Sequence, residues 1–442
     1  MTDKRLLGAI AATRFGLGAR VGEIDDVAPD PVGWVLDQTD PHAAPLWPGA
    51  LHSAELAVAK RAHEKAEADQ NKRRDRRVEI AHAEFLRRMQ HACATPAPFR
   101  ERWALFWQNH FALVANNLEI EMFGAAFMRE VIDPNLFGRF EDMAVAAAQH
   151  PAMLTALDQV SNVGPNSPFG RATGHGLNEN LAREMLELHT LGVDGGYSQA
   201  DVTEMTRALS GWRVTGEHVP PALQGRFVND ADRREPGVRR FLGRPWAESD
   251  DRAEAMVRFA ARQPAAARHI GFKLARHFSA DQPPPALVRA LTQAFERTGG
   301  DLRAVAEALV ASPEAWSPEQ QKFKSPYDFA VSLHRATGQT PEDGGWLNHV
   351  VQSMGHHPLY ARTPEGWSDE AVTWATPQGL AYRTNFALEG GHKSPARDSR
   401  EFAGHALGPL ARRATHAAVG RVGLDRKTAF ALVLMSPEFQ RR

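Results

Sequence analysis

Asn178-Glu-Asn-Leu-Ala-Arg-Glu-Met-Leu-Glu-Leu-His-Thr-Leu-Gly192 is a stretch in which both ends and one face of a helix can be read directly. Asn178 can accept from the first free N–H groups, Glu179 sits at the positive end of the helix dipole, and Gly192 supplies the left-handed residue that ends the helix. A Schellman cap there would set Val193 against Leu188. Asp194-Gly195-Gly196 then turns the chain, and Ser198 with Asp201 opens a second helix that runs to Gly211-Trp212, so the segment predicts an αα-hairpin. At about 100° per residue, Glu179, Asn180, Arg183, Glu184, Glu187 and Thr190 share a polar arc. Leu181, Ala182, Met185, Leu186, Leu188 and His189 share the apolar one, and His189 is read as a core histidine with one satisfied hydrogen bond.

The same period recurs outward in both directions. Leu287, Leu291 and Phe295 repeat at i, i+4, i+8, and Leu302, Val305 and Leu309 at i, i+3, i+7, each the buried stripe of a helix. Proline stands at expected helix starts in Asp30-Pro31, Pro283-Pro284-Pro285, Ser312-Pro313, Ser325-Pro326 and Ser436-Pro437. Alternating runs are scarce. The chain is therefore expected to be all-α, a single large helical domain over 1–442 built of many antiparallel helices with long irregular loops. Any strands should be short and confined to Arg213 to Trp246, a proline- and glycine-punctuated loop of the kind that often forms a lid or binding loop. His52 to Arg88 is polar and rich in Ala, Glu, Lys and Arg, which predicts a protruding helical arm over 52–90.

With 442 residues, 43% hydrophobic and 24% charged, the composition excludes disorder and leaves ample material for a core. Fifty-two basic against fifty-three acidic residues give no global field toward nucleic acid, and the basic run Lys72 to Arg77 is diluted by Glu64, Glu67, Asp69 and Asp75. It is read as a solvated helix face. The longest apolar run, Ala429 to Met435, is far too short for a membrane span. Cys93 stands alone, which excludes an internal disulfide and any cysteine-cluster metal site. Leu6 to Ala12, followed closely by Arg14, reads as an amphipathic helix and gives no clear signal peptide, so the expectation is a cytoplasmic protein or one exported with a partner.

The run from Asn178 to Tyr197, continuing through Arg207-Ala208-Leu209-Ser210-Gly211-Trp212, resembles the central motif of the bacterial family called domain of unknown function 1800. Phe106-Trp-Gln-Asn-His-Phe111, His150-Pro-Ala-Met-Leu with Leu157-Asp158, Pro264 to Phe278, Lys324-Ser325-Pro326, Gly366-Trp367 with Trp374, and Arg383 resemble that family too, so the likeness spans nearly the whole chain. One departure stands in the middle loop, where members commonly carry a histidine and this chain reads Arg233-Arg234-Glu235-Pro236-Gly237. The family implies no reaction. Its members are often encoded beside proteins resembling alkaline phosphatases and sulfatases, which implies by analogy such a partner.

Two candidate constellations remain. Trp103, Trp107 and His110 share a face of one helix, beside Asn109. That face suits stacking on a sugar ring with the imidazole as acid or base, although core packing is the favoured use of the tryptophans. The polar arc follows a loop with Asp158, Asn162 and Asn166, a clustering that solubility does not require. The leading expectation is an enzyme in which Glu184 or Glu187 is the general acid or base and His110 assists. Asn109, Asp158, Asn178, Asn180, Arg183, Trp212, Trp367 and Arg383 would bind a polar substrate such as a glycan or ester. The alternative is a non-catalytic binding or assembly protein in which the same charges form a structural network. His349, His356 and His357 form a loose group, read as helix-end and loop residues. His-Glu-x-x-His does not occur, so metal and cofactor stay unknown. No dinucleotide glycine fingerprint and no Gly-x-Ser-x-Gly elbow is present.

Overall fold

The computed structural model describes all residues except 1–2, 41–51, 54, 57–69, 115–117, 217–218, 221–223, 359 and 422, with only the backbone course of 70–76 and 118–122. Among the described residues the chain is helical from Lys4–Ile10 to Pro437–Gln440, and its named strands are two short antiparallel pairs. β1 (Trp212–Val214) pairs with β2 (Phe227–Asn229), and β3 (Arg239–Phe241) with β4 (Arg244–Trp246), all within the punctuated middle loop. The sequence places these breaks, because the proline and glycine residues there deny a helix its hydrogen bonds.

Apolar burial forms two clusters. One gathers Phe15, Phe99, Trp103, Trp107, Phe140, Leu181 and Leu291; the other gathers Phe85, Met89, Phe329, Leu333, Phe402 and Phe430. The predicted stripes are where the period puts them: Leu287, Leu291, Leu302, Val305 and Leu309 are fully buried. The helices that carry them, Pro285–Thr298 and Leu302–Ala311, follow Pro264–Phe278 and pack in succession. Side-chain caps close the starts at Asp30, Ser325 and Ser436, each accepting from a backbone N–H on the first turn.

Two expectations need correcting. Residues 57–69 of the expected arm lie outside the described residues, but its C-terminal part is core: the Gln70–Ala94 helix buries Phe85 and Met89 completely. It packs on Leu118–Phe127, Pro326–Thr337 and Gly344–Ser353. The charged composition concealed an apolar stripe, Phe85, Met89 and Cys93 at i, i+4, i+8. The Asn178 helix is also not α throughout. Asn180–Glu184 is α-helical, and Met185–Thr190 continues with the wider i→i+5 bonding of a π-helix. Wider turns advance each side chain less around the axis, so Thr190 leaves the polar arc and enters the core at 0% exposure. Gly192 has the expected left-handed φ of +83°, yet its N–H reaches back to Leu186 O at 3.2 Å, and Val193 is 67% exposed rather than packed on Leu188.

Candidate functional site

Parts of the chain far apart in sequence, three of them prominent, enclose a cleft of about 800 Å³, counted to its open mouth. The first is the C-terminal end of the Pro98–His110 helix, the second the end of Pro264–Phe278, and the third the irregular segment 356–369 with the chain around Phe323 to Asp328 and Arg442.

One wall is aromatic. His357 stacks on Tyr360 with ring centroids 5.0 Å apart and on Trp367 at 6.0 Å, while Trp374 lies 5.7 Å from Trp367. Trp367 is held by the amide of Asn109, which donates from Nδ2 to Trp367 O (2.7 Å) and accepts from Trp367 N at Oδ1 (2.8 Å). Gly366 must be a glycine for this clasp, since its φ is +85° and a Cβ would stand 2.4 Å from Asn109 O. The indole Nε1 of Trp367 lies 3.0 Å from both His357 O and Tyr360 O. Wall and clasp therefore form one hydrogen-bonded unit.

The floor is ionic. His277, in the last turn of its helix, meets Asp369 Oδ1 through Nδ1 at 3.0 Å. A carboxylate can only accept, so Nδ1 carries the proton, and Nε2 is left with its lone pair, 3.5 Å from Arg442 Nη2. Burial lowers the His277 pKa to about 4, against the attraction of Asp369 and with the help of Arg442, so the ring is neutral near pH 7. Burial alone would raise Asp369, but His277 and Lys322 hold its carboxyl well below the usual range. Asp328 is held down in the same way by Arg102 (3.3 Å) and Arg442 (3.5 Å). Lys322 ties Asp281 at 3.0 Å, and Asp281 accepts from Ala371 N at 2.8 Å, which anchors the segment carrying Asp369. Behind the floor, burial lowers Lys324 to about 7.

The sequence-predicted residues fall into three groups. Asn109 and Trp367 line the cleft, and Arg383 lies behind it, fully buried, donating to Gln440 Oε1 (2.9 Å) and Lys324 O (2.7 Å). His110 is sealed in the core among Phe106, Trp107, Phe111 and Phe140, with Nε2 on His189 O at 3.0 Å. The charged groups that act most on His110 are Lys273, His189 and His269. Trp103 and Trp107 are core tryptophans, and Trp212 is buried against Phe227.

The third group is the surface of the hairpin. Glu179 accepts from Arg183 Nη2 (2.9 Å), Gln199 and Thr203, and Arg183 also donates to Gln199 Oε1 (2.9 Å), so the two residues tie the helices together. Glu184 and Glu187 are half-buried outside the cleft; burial first and Glu187 second raise the pKa of Glu184. Asn178 caps Asn180 N through Oδ1 at 3.0 Å and donates to Ser161 Oγ, while Asp158 and Asn180 are exposed. At the position where the middle loop departs from the family, Glu235 takes both Asn166 N (2.9 Å) and Asn166 Nδ2 (2.6 Å), and Arg233 lies over Phe169 at 3.6 Å.

His277, Asp369, Asp328, Tyr327 and Arg442 escaped the sequence reading because they come from stretches far apart in the chain, while His356 and His357, read as loop residues, line the cleft. His277 stood inside the family-like Pro264 to Phe278 stretch, which was the available signal. Among the described residues no three His, Cys, Asp or Glu side chains converge as metal ligands would. No helix there is long and apolar enough to cross a membrane.

These features define a mostly α-helical protein with an aromatic-walled, ion-floored cleft. The chain belongs to the family described as protein of unknown function (DUF1800), whose model matches residues 10–441. Comparison with curated proteins and with solved structures finds no match.

Proposed function

We propose that the protein is an acid–base enzyme, of hydrolytic type, that works in the Asn109–Trp367 cleft on a polar substrate such as a glycan or ester. The observation that carries this reading is the His277–Asp369 pair opening on an aromatic wall. Asp369 fixes the tautomer and orientation of the ring, so that Nε2 can take a proton from an attacking water as its oxygen bonds to the substrate carbon. The same proton then passes to the leaving oxygen. Trp367, clasped by Asn109, offers a flat apolar face for a ring, and binding there places the substrate over the ionic floor.

The hairpin surface supports a second reading, a binding or assembly role. There Glu179, Arg183, Gln199 and Thr203 satisfy one another, leaving Asn180 and Val193 exposed to a partner such as the phosphatase- or sulfatase-like protein the family resemblance implies.

A panel of chromogenic esters and glycosides separates the readings. Turnover should fall by about 10²–10⁴ in His277→Gln, whose amide can still donate to Asp369, with a cooperative melt kept. Glu184→Gln serves as the comparison. Loss of turnover in Glu184→Gln with His277→Gln active would move the site to the hairpin, and no turnover of any substrate would leave the assembly reading ahead.

A further inference from the structure

Three buried polar atoms on residues that line the cleft have no hydrogen-bond partner among the described residues. Arg442, 2% exposed, has no partner for Nη1 among the described residues. Tyr327, 1% exposed, has none for its hydroxyl, and His356 has none for Nδ1. All three residues line the cleft. Buried polar atoms in folded proteins are nearly always satisfied, and each orphan costs roughly 1–3 kcal/mol, so three around one cavity point to an absent acceptor.

The chemistry of that acceptor follows from the donors. Arg442 brings N–H groups, the Tyr327 hydroxyl can donate, and His356 donates whenever Nδ1 carries its proton. The surroundings are cationic as well: Arg102, Arg383 and Arg442 lie around Asp328 and His356. Asp328 is already held by Arg102 and Arg442, and Asp369 by His277 and Lys322. Cationic charge is therefore left over in a site shielded from water, where an ionised acceptor gains most. A neutral carbonyl or hydroxyl would satisfy one donor and leave the charge in place.

We propose that the floor of the cleft is an oxyanion subsite, in which Arg442, Tyr327 and His356 hold a carboxylate, phosphate or sulfate group of the substrate. This deepens the reading above by naming the charge its substrate carries. It also couples to the base, because an anion seated on Arg442 offsets the cation that faces His277 Nε2 at 3.5 Å. The guanidinium fork suits planar and tetrahedral oxyanions alike.

The test needs no turnover, so it can fail while the acid–base reading stands, and the reverse. Thermal melting is followed with sodium acetate, inorganic phosphate and sodium sulfate, each against chloride at equal ionic strength, with tryptophan fluorescence reporting on Trp367 and Trp374. At least one anion should raise the melting temperature by about 2 °C or more and shift the emission. Response to acetate assigns a carboxylate, and response to phosphate or sulfate a tetrahedral group. Arg442→Gln should weaken the effective anion at least tenfold, and Tyr327→Phe, which keeps the ring, several-fold. Should Arg442→Gln lose its cooperative melt, Tyr327→Phe decides the case. The proposal is overturned if no anion acts beyond chloride, or if the effective one acts undiminished on the variant that decides.

Discussion

Both carboxylate oxygens of Glu101 lie in the core without a hydrogen bond among the described residues, with Arg88 Nε and His91 Nε2 each 3.9 Å away. Burial pushes its pKa up to about 7, and the charge of Arg88 recovers only part of the cost. The sign for stability follows from linkage. A carboxyl with a raised folded pKa binds its proton more tightly in the folded chain, so stability declines as pH rises from the unfolded value of 4.5 through about 7 and then levels. The span corresponds to about 3 kcal/mol. Glu101→Gln keeps the shape without the charge, so its stability relative to the unmodified protein should improve by up to about that amount between pH 4 and pH 8. Urea unfolding at the two pH values measures it, and a difference independent of pH would show that Glu101 ionises freely. The same contrast separates Glu101 from Asp369, whose partners hold it ionised where the proposed chemistry needs it.

At the scale of the element, the π-helical turns of Met185–Thr190 set what the hairpin presents. His269 reaches across from the Pro264–Phe278 helix to Leu188 O, 2.9 Å away, and its ring lies against Gly192. A Cβ at Gly192 would meet His269 Nδ1 at 2.8 Å, at a φ of +83° that other residues resist. Gly192→Ala should therefore cost about 2 kcal/mol, read by chemical denaturation, and an unchanged midpoint would mean that the junction yields freely. This junction also marks where the sequence stops being legible. Helix existence, the Gly192 terminus and the stripe Leu287, Leu291, Phe295 are local properties, set by caps and a period that neighbours a few residues apart carry. The switch from α to π bonding is not, because it changes local energy little and is decided by what the Pro264–Phe278 helix demands of the facing turn. The burial of the charged Gln70–Ala94 helix escaped for a related reason, since three apolar residues on one face suffice to anchor it.

For the whole molecule, the ion pairs of the cleft are also its long-range ties. Asp328 joins Arg102 and Arg442, and His277 joins Asp369, each across a wide separation in the chain; outside the cleft, Glu130 is bonded by Ser53 and His150. That is why Asn109 and Trp367 were legible as candidates while the floor beneath them was not: a pair such as Arg102 and Asp328 leaves no spacing to read. It also makes the fold acid-sensitive in a definite window. Burial alone would raise Glu130, but hydrogen bonds from His150 and Ser53 bring it down to about 2, and Asp328 and Asp369 are depressed as well. A carboxyl with a depressed folded pKa contributes stability that is present above its unfolded pKa and lost as pH falls through the folded one. For Glu130 the contribution is about 3 kcal/mol, lost between about pH 4.5 and pH 2. Unfolding free energy should accordingly fall steeply below pH 4, and Glu130→Gln should both lower stability at pH 7 and flatten that fall. Urea titrations of the two proteins from pH 2 to pH 7 decide it: parallel curves would show that Glu130 titrates in the folded chain as it does in the unfolded one, and that its bonds to Ser53 and His150 add nothing to the fold.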